Sequence, residues 1–262
     1  MRRFDADYLE ETRRGMWDEV GKLADLRLGD HDRIVDVGCG TGELTRVLVR
    51  ESDADVLGID ADPGLLALAR EHAPVAAGDA ARLPLRDAVA DLVICQALLI
   101  NLPEPRSAIE EFGRVSSDLV CAIEPDNAGV TVESTVGAEA GLERRARARY
   151  IEGVETDVTL GPDVRELFAE AGLSNVRTRR YDHEKRVEAP YDESALDAAR
   201  RKATGAGLES DRETLTRSVS PEEFDSLRSE WREMGREAIE QMRDGTYERT
   251  ETVPFYVTVG RA

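Results

Sequence analysis

The sequence predicts an α/β fold built on a parallel sheet. Short apolar runs of strand length alternate with amphipathic helical stretches from Arg33 to Asp126, and that rhythm is the signature of strands wound in right-handed crossovers. The run VADLVICQALL is nearly all apolar, as a strand covered by helices on both faces must be. Three glycines, Gly38, Gly40 and Gly42, stand between the first strand and its helix. A side chain there would hold a ligand away from the backbone.

Taken in order, Asp5 to Leu28 carries apolar residues at Tyr8, Leu9, Met16, Trp17, Val20, Leu23, Ala24 and Leu26, nearer a helical than a strand period. RIVDV from Arg33 is a first strand, and Glu43 to Arg50 a helix with Leu44, Val47 and Leu48 inward. DVLGID is a second strand. Asp62 and Pro63 then supply an N-cap and a first-turn proline for GLLALAREH. PVAAGDA is a third strand, VADLVICQALL a fourth, Arg106 to Val115 a helix, and DLVCAIEPD a fifth strand. After Glu124 the rhythm changes. Gly137 to Tyr150 is helical and arginine-rich, a helix from Pro162 stops at Gly172, and NVRTRRYDHEKRVE alternates as a sixth strand. A long helical stretch follows from Asp192 to about Asp244. Its second half opens on a capping box at Ser220 and Glu223 and repeats Phe224, Leu227, Trp231, Met234, Ala238 and Met242 at three and four. TVPFYVTVGRA closes the chain as a strand.

The 262 residues carry a formal charge of −19. Of the 35 basic residues only Lys22, Lys185 and Lys202 are lysines. Excess carboxylate with almost no lysine suits multimolar intracellular salt, where the Debye length falls to about 3 Å and self-repulsion is screened. Halophilic adaptation is therefore expected. The acidity argues against a surface that tracks nucleic-acid phosphates. Cys39, Cys95 and Cys121 are odd in number and lack metal-site spacing, which points to a reduced, cytoplasmic setting. No apolar run reaches membrane-spanning length, and MRRFDADYLEE lacks the apolar core of a leader, so no membrane partner is expected.

A glycine loop at a helix start offers free N–H groups and by itself admits phosphate, a dinucleotide or a sulfonium nucleoside. The spacing here is G-x-G-x-G. A dinucleotide fingerprint wants its third glycine where Glu43 stands, and a carboxylate at a helix N-terminus repels pyrophosphate. Asp36 and Glu43 make the loop acidic, which suits a cationic ligand. Asp60 ends the second strand, where an acceptor-only carboxylate can take both hydroxyls of a ribose. Asp79, after the third strand, offers a further acceptor for an exocyclic amine.

VDVGCGTG, GIDADPGLLALAR and GDAARLPLRDAVADLVICQALLINLPEP together resemble, in order and spacing, the class I S-adenosylmethionine-dependent methyltransferases, in the small-molecule branch that includes the quinone-biosynthesis type. The resemblance covers residues 5 to 125 most closely, and RELFAEAGLSNVRTRRY and FYVTVGRA more loosely. It implies S-adenosyl-L-methionine as cofactor, with S-adenosyl-L-homocysteine as product. It implies a doubly wound, mostly parallel, seven-stranded Rossmann-like sheet whose last strand is antiparallel. A single domain over 1–262 would comprise an N-terminal helical cover over 1–30, the core sheet over 31–190, a helical insertion over 191–250 and a final strand over 251–262. The minimal fold joins its last two strands in a tight hairpin, so the insertion departs from it and reads as a substrate-side cover. Carried over residue by residue, Asp36, Gly38, Cys39 and Gly40 would surround the methionine moiety and Asp60 would hold the ribose. Ala61 would lie against the adenine, Asp79 and the Ala80 amide would meet its edge, and Gln96 would pass the methionine amine.

Methyl transfer from sulfonium is a single in-line displacement that needs no metal, and it needs a base only when the acceptor arrives protonated. Base candidates are few. Glu124 and Asp126 sit at the carboxyl end of the fifth strand, where open α/β sheets bind ligands, although solvated acids are ordinary at such a place. His183 lies on an alternating strand, while His31 and His72 occupy positions where exposed histidine is ordinary. Arg14 and Trp17 could close over the methionine carboxylate, against the plainer reading of Trp17 in the core and Arg14 in solvent. LERRARARY reads first as a solvated face and second as an anion-recognising patch. The expected partner is a small-molecule acceptor, and a homodimer is admitted. The competing readings are a methyltransferase acting on RNA or protein and a non-catalytic protein that binds the nucleoside. No N/D-P-P-Y/F follows the fourth strand, as base-amine methylating relatives carry.

Overall fold

A computed structural model describes residues 16–17 and 20–262, with the side chains of 20–22 left out. The chain forms two compact units: one of the residues up to Pro125 with Leu160–Tyr181 and Phe255–Ala262, the other of Asp126–Thr159 and Asp182–Pro254.

The first unit is the sheet. Its strands are β1 (Arg33–Val37), β2 (Asp55–Asp60), β3 (Val75–Ala77), β4 (Ala90–Gln96) and β5 (Ser116–Pro125), with the first part of β7 (Ser174–Val187) and the last part of β8 (Arg249–Arg261). The spatial order is β3-β2-β1-β4-β5-β8, with β7 paired to β8. Strands β1 to β5 pair with one another in parallel. The end of β8 runs antiparallel to β5, with Pro125 opposite Phe255 and Leu119 opposite Arg261. The expected mostly parallel, doubly wound sheet with an antiparallel last strand is the one observed.

Helices α1 (Glu43–Glu51), α2 (Pro63–Ala69), α3 (Pro105–Val115) and α5 (Val164–Glu170) also belong to this unit. Asp62 caps α2 as expected, its carboxylate accepting the Gly64 amide at 2.8 Å. Val35, Val93, Ile109, Phe112, Phe168 and Leu173 share one buried cluster that joins sheet and helices. Each such side chain removed from water contributes about 1.5–3 kcal/mol. The helix expected through Leu28 differs in kind. Its described part is a 3-10 helix over Val20–Leu26, then left-handed Arg27 at φ 50° and a short turn over Leu28–Asp30. His31, placed by sequence among exposed histidines, is buried instead, and its Nε2 meets the freed Leu26 carbonyl at 2.7 Å.

The second unit holds α4 (Glu139–Gly153) and the four helices between β7 and β8: α6 (Glu193–Thr204), α7 (Ala206–Ser210), α8 (Arg212–Leu215) and α9 (Pro221–Arg243). The capping box forms as expected, Ser220 Oγ accepting the Glu223 amide at 3.2 Å and the Glu223 carboxylate accepting the Ser220 amide at 2.9 Å. A Cβ on Gly235 of α9 would collide with the Ala203 backbone of α6, so glycine there permits a close helix crossing. An unforeseen strand, β6 (Thr131–Ser134), pairs antiparallel with Arg249–Thr252 of β8. Four residues are too short for alternation to announce.

This unit buries an ionic cluster. Glu139 has no exposure, and Lys202 Nζ bonds to it and to Glu143, the latter at 2.7 Å. Arg249 Nη2 meets Glu143 at 2.8 Å, and the Tyr247 hydroxyl reaches both Glu139 oxygens at 3.0 Å. The arginines of LERRARARY are partly committed to neighbours: Arg145 to Glu230, Arg147 to Glu143 and Arg149 to Glu152.

Candidate functional site

Parallel pairing brings the candidate residues to one edge. Val37 is in register with Ile59 of β2 and Cys95 of β4, Asp60 with Ala77, and Gln96 with Ile123. The next positions along each strand therefore fall in a row at the carboxyl ends: Asp79 beyond β3, then Asp60, Gly38, Gln96 and Glu124.

The glycine loop occupies the centre of that row. Gly38, Gly40 and Gly42 have φ of 72°, 56° and 90°, the left-handed region that a side chain disfavours. Sequence alone leads one to expect free amides here, and the structure corrects that for four of them. The Gly38 and Cys39 amides both donate to the Ile59 carbonyl, at 2.7 and 3.1 Å. The Gly40 amide donates to Asp60 Oδ2 at 2.9 Å and the Gly42 amide to the Cys39 carbonyl at 2.9 Å. A pyrophosphate cradle needs such donors pointing outward. This loop turns them inward.

The acids divide by environment. Asp36 is buried, with Thr45 Oγ1 donating to its Oδ2 at 2.6 Å. Asp60 is buried, and each oxygen accepts one amide, Oδ2 from Gly40 and Oδ1 from Asp62 at 2.8 Å. A carboxylate oxygen has two acceptor sites, so capacity for a hydroxyl remains on each. Asp79 is exposed, and its Oδ1 accepts the Ala81 amide at 2.9 Å. Ala61 beside Asp60 is exposed and Ala80 half-buried. Glu43 pairs with Arg46 at 2.8 Å, so less of the loop's acidity faces a ligand than sequence implies.

Within the described residues of the first unit, four buried polar atoms find no hydrogen-bond partner: Gln96 Oε1, Thr41 Oγ1, Trp17 Nε1 and Asn101 Oδ1. Burying such a group unpaired costs about 1–3 kcal/mol, so each is poised for a ligand or water. Gln96 is only 2% exposed, and its Nε2 donates to Met16 Sδ at 2.9 Å, which ties Met16 to the carboxyl end of β4. Trp17 is buried, while Arg14 lies outside the described residues. Thr41 and Asn101 carry no sequence signal. The inward amides, the acceptors at Asp60 and Asp79 and the unpaired Gln96 oxygen fit a cationic amino-acid nucleoside such as S-adenosylmethionine.

The first base candidate is placed unlike a solvated acid. Glu124 has no exposure. Its Oε1 accepts the Leu98 and Leu99 amides at 3.0 and 2.9 Å, its Oε2 the Ile100 amide at 3.4 Å, and Cys95 Sγ approaches at 3.8 Å. Burial pushes its carboxyl up to about 7, against the pull of those amides. Burial, with Glu124 adding to it, likewise holds the Cys95 and Cys121 thiols well above their usual range, so both stay neutral. Asp126 Oδ1 accepts the Ala128 and Gly129 amides at 2.9 and 3.2 Å and caps a 3-10 turn in the second unit. His183, also in the second unit, is buried.

Comparison with known proteins agrees with this edge. A methyltransferase-domain model matches residues 35–118, the stretch from β1 into β5. Trans-aconitate 2-methyltransferase of Methylobacterium nodulans is 36% identical over 110 residues, 40% of this chain and 43% of that protein. Demethylmenaquinone methyltransferase of Lactiplantibacillus plantarum is 32% identical over 113 residues, 38% of this chain and 48% of that one. The chain thus spans less than half the length of these two relatives. The demethylmenaquinone methyltransferase of Mycobacterium tuberculosis is matched more fully, 32% identical over 168 residues, 59% of this chain and 71% of that one. Among solved structures, a candidate methyltransferase of Bacillus halodurans superposes with a TM-score of 0.54 at 14% identity, covering 92% of this chain and 98% of that one. The YcgJ protein of Bacillus subtilis does so with 0.52 at 12% identity, covering 92% and 98%, and both share the fold. The glycine loop, the strand-end acids and the match to the mycobacterial enzyme together identify the family: the chain belongs to the class I S-adenosylmethionine-dependent methyltransferases.

Proposed function

We propose that this protein transfers a methyl group from S-adenosylmethionine to a small-molecule acceptor by in-line displacement, its 262 residues acting as one methyltransferase domain. The observation that carries the reading is Asp60, a buried carboxylate whose two oxygens each hold one backbone amide and retain room for a hydroxyl. In this reading Asp60 takes the ribose, Ala61 and the Ala80 amide flank the adenine, and Asp79 receives its amine. Gln96 offers its unpaired Oε1 to the methionine ammonium. Asp36 and the backbones of Gly38, Cys39 and Gly40 line the cationic end, and Arg14 is kept from the sequence as the candidate for the methionine carboxylate.

When bound, the sulfonium supplies an already activated methyl group. The protein's part is alignment and exclusion of water, and alignment alone is worth roughly 7–11 kcal/mol of barrier. We read Glu124 as a structural anchor and not as the base, since it has no exposure and its carboxylate already accepts three amides. Asp126 is engaged as a turn cap. We infer an acceptor that arrives already nucleophilic. The relatives named for demethylmenaquinone and trans-aconitate support a small organic acceptor. The charge of −19 and near-absence of lysine support a cytoplasm of high salt.

The commitment of the candidate acids to backbone amides also favours a second reading, a nucleoside-binding protein without catalysis. One experiment decides. The protein is incubated in high salt with methyl-labelled cofactor and cell extract, and label is followed into metabolites, RNA and protein. Label in a small metabolite supports the proposal. Label in RNA or protein overturns the acceptor class, and tight cofactor binding without transfer favours the second reading.

A further inference from the structure

We propose that Glu124 is a positioning residue for the cofactor: by accepting the amides of the turn after β4, it holds Leu98 over the first glycine of the loop and so sets the cleft's affinity for the nucleoside. This rests on the reading of the cleft given above and assigns Glu124 a role other than the base that its place at a strand end suggests.

Two observations carry it. Leu98, Leu99 and Ile100 all donate their amides to the one Glu124 carboxylate, 24 to 26 residues away in sequence. The Leu98 side chain then packs on the loop, where a Cβ built on Gly38 would lie 2.8 Å from Leu98 Cδ1. Between Gln96 and Leu98 the chain passes through Ala97 at φ 47°, a left-handed conformation that a residue with a Cβ adopts only when its surroundings enforce it. The Ala97 amide is held by the Ile123 carbonyl at 2.8 Å and its carbonyl by Asn101 Nδ2 at 2.8 Å. The strained turn thus depends on β5, and Glu124 supplies the acceptor for its next three amides. The orphaned Gln96 oxygen sits immediately before the turn, and Gly38 beneath its first side chain.

An ionised carboxylate has acceptor capacity for all three amides. A protonated one turns one oxygen into a donor, which opposes an incoming N–H. The titratable groups facing Glu124 are Cys95 on β4, Cys121 on its own strand, and Tyr256 in register on β8. Both thiols stay neutral, so near neutral pH the charge state of the turn's anchor is that of Glu124 itself. Its position near 7 places the change within an accessible range.

The test is calorimetric titration with S-adenosylhomocysteine in high salt from pH 6 to 8.5, for wild type and Glu124→Gln. The ligand's own amine titrates in both proteins, so the difference between the curves reads Glu124. Wild type is expected to lose about tenfold more affinity than Glu124→Gln between pH 8 and 6, as follows when the ionised form alone holds the turn near a midpoint of about 7. At pH 8 the variant is expected to bind about tenfold more weakly than wild type, the loss of one charge-assisted hydrogen bond. Parallel pH curves, or equal affinity at pH 8, overturn the proposal. Should Glu124→Gln not fold, Leu98→Ala keeps the carboxylate and removes what it positions. Its expected pH amplitude, relative to wild type, falls to less than half, and an undiminished amplitude overturns the proposal. Absence of binding by wild type at every pH instead refutes the cofactor assignment itself.

Discussion

Asp60 and Gly40 are joined across the carboxyl edge, the Asp60 carboxylate accepting the Gly40 amide at 2.9 Å from the neighbouring strand's loop. One carboxylate thus closes the glycine turn and, in the proposed reading, also offers the ribose acceptors.

Asp60→Ala should therefore lower affinity for S-adenosylmethionine by about 100-fold or more, since two hydroxyl bonds to a charged acceptor are lost at roughly 1.5–3 kcal/mol each. Calorimetry in high salt measures this, with circular dichroism to establish that the variant folds. Unchanged affinity would refute the role given to Asp60.

Gly38→Ala meets two obstacles. The left-handed φ of 72° costs about 1–2 kcal/mol for any residue with a Cβ, and the new methyl would press on Leu98. The double variant Gly38→Ala with Leu98→Ala should regain the steric part and keep the conformational part. Chemical denaturation of both single variants and the double variant closes the cycle, and strict additivity would show that the contact has no weight.

Glu124 should give stability an unusual dependence on pH. Its folded-state value is raised, from 4.5 to about 7, so the folded protein holds a proton that the unfolded chain has released between those values. Its contribution is fully present below about 4.5 and is lost as pH rises through 7. The span from 4.5 to about 7 corresponds to about 3 kcal/mol. Urea unfolding of wild type minus that of Glu124→Gln should fall by this order between pH 4.5 and 7.5, while cofactor affinity moves the opposite way.

Lys202→Met would leave Glu139 and Glu143 buried with a cation removed. Breaking a buried pair from one side costs about 3–5 kcal/mol, although Arg249 and Tyr247 remain as partners and bring the expectation toward the lower figure. The thermal midpoint of the variant measures it. A loss under about 0.5 kcal/mol would place the cluster with the weak surface pairs.

Much of the architecture could be read directly from residue order. The apolar period from Arg33 to Pro125, the Asp62 cap, the Ser220–Glu223 capping box and the glycine spacing are local patterns that produced the elements expected of them, whereas the period before Leu28 gave 3-10 turns in its described part. The place of Asp60 at the carboxyl end of β2 could be read the same way, because it is the last residue of a strand-length run. The second unit was less readable. Strand β6 is too short to show alternation, and Gly235 reveals its purpose only against the Ala203 backbone.

The α/β class, the strand-to-helix order and the acids at the strand ends are legible in residue order, since they follow from backbone propensity and from periods of two and 3.6 residues. Packing between strands, by contrast, set four of the loop's amides inward, left the Gln96 oxygen unpaired and made Glu124 a buried anchor and not a solvated acid. The Asp60–Gly40 and Glu124–Leu98 contacts join residues 20 and 26 positions apart across neighbouring parallel strands. Whether a carboxylate is hydrated or enclosed is settled by what packs around it, which no local pattern specifies.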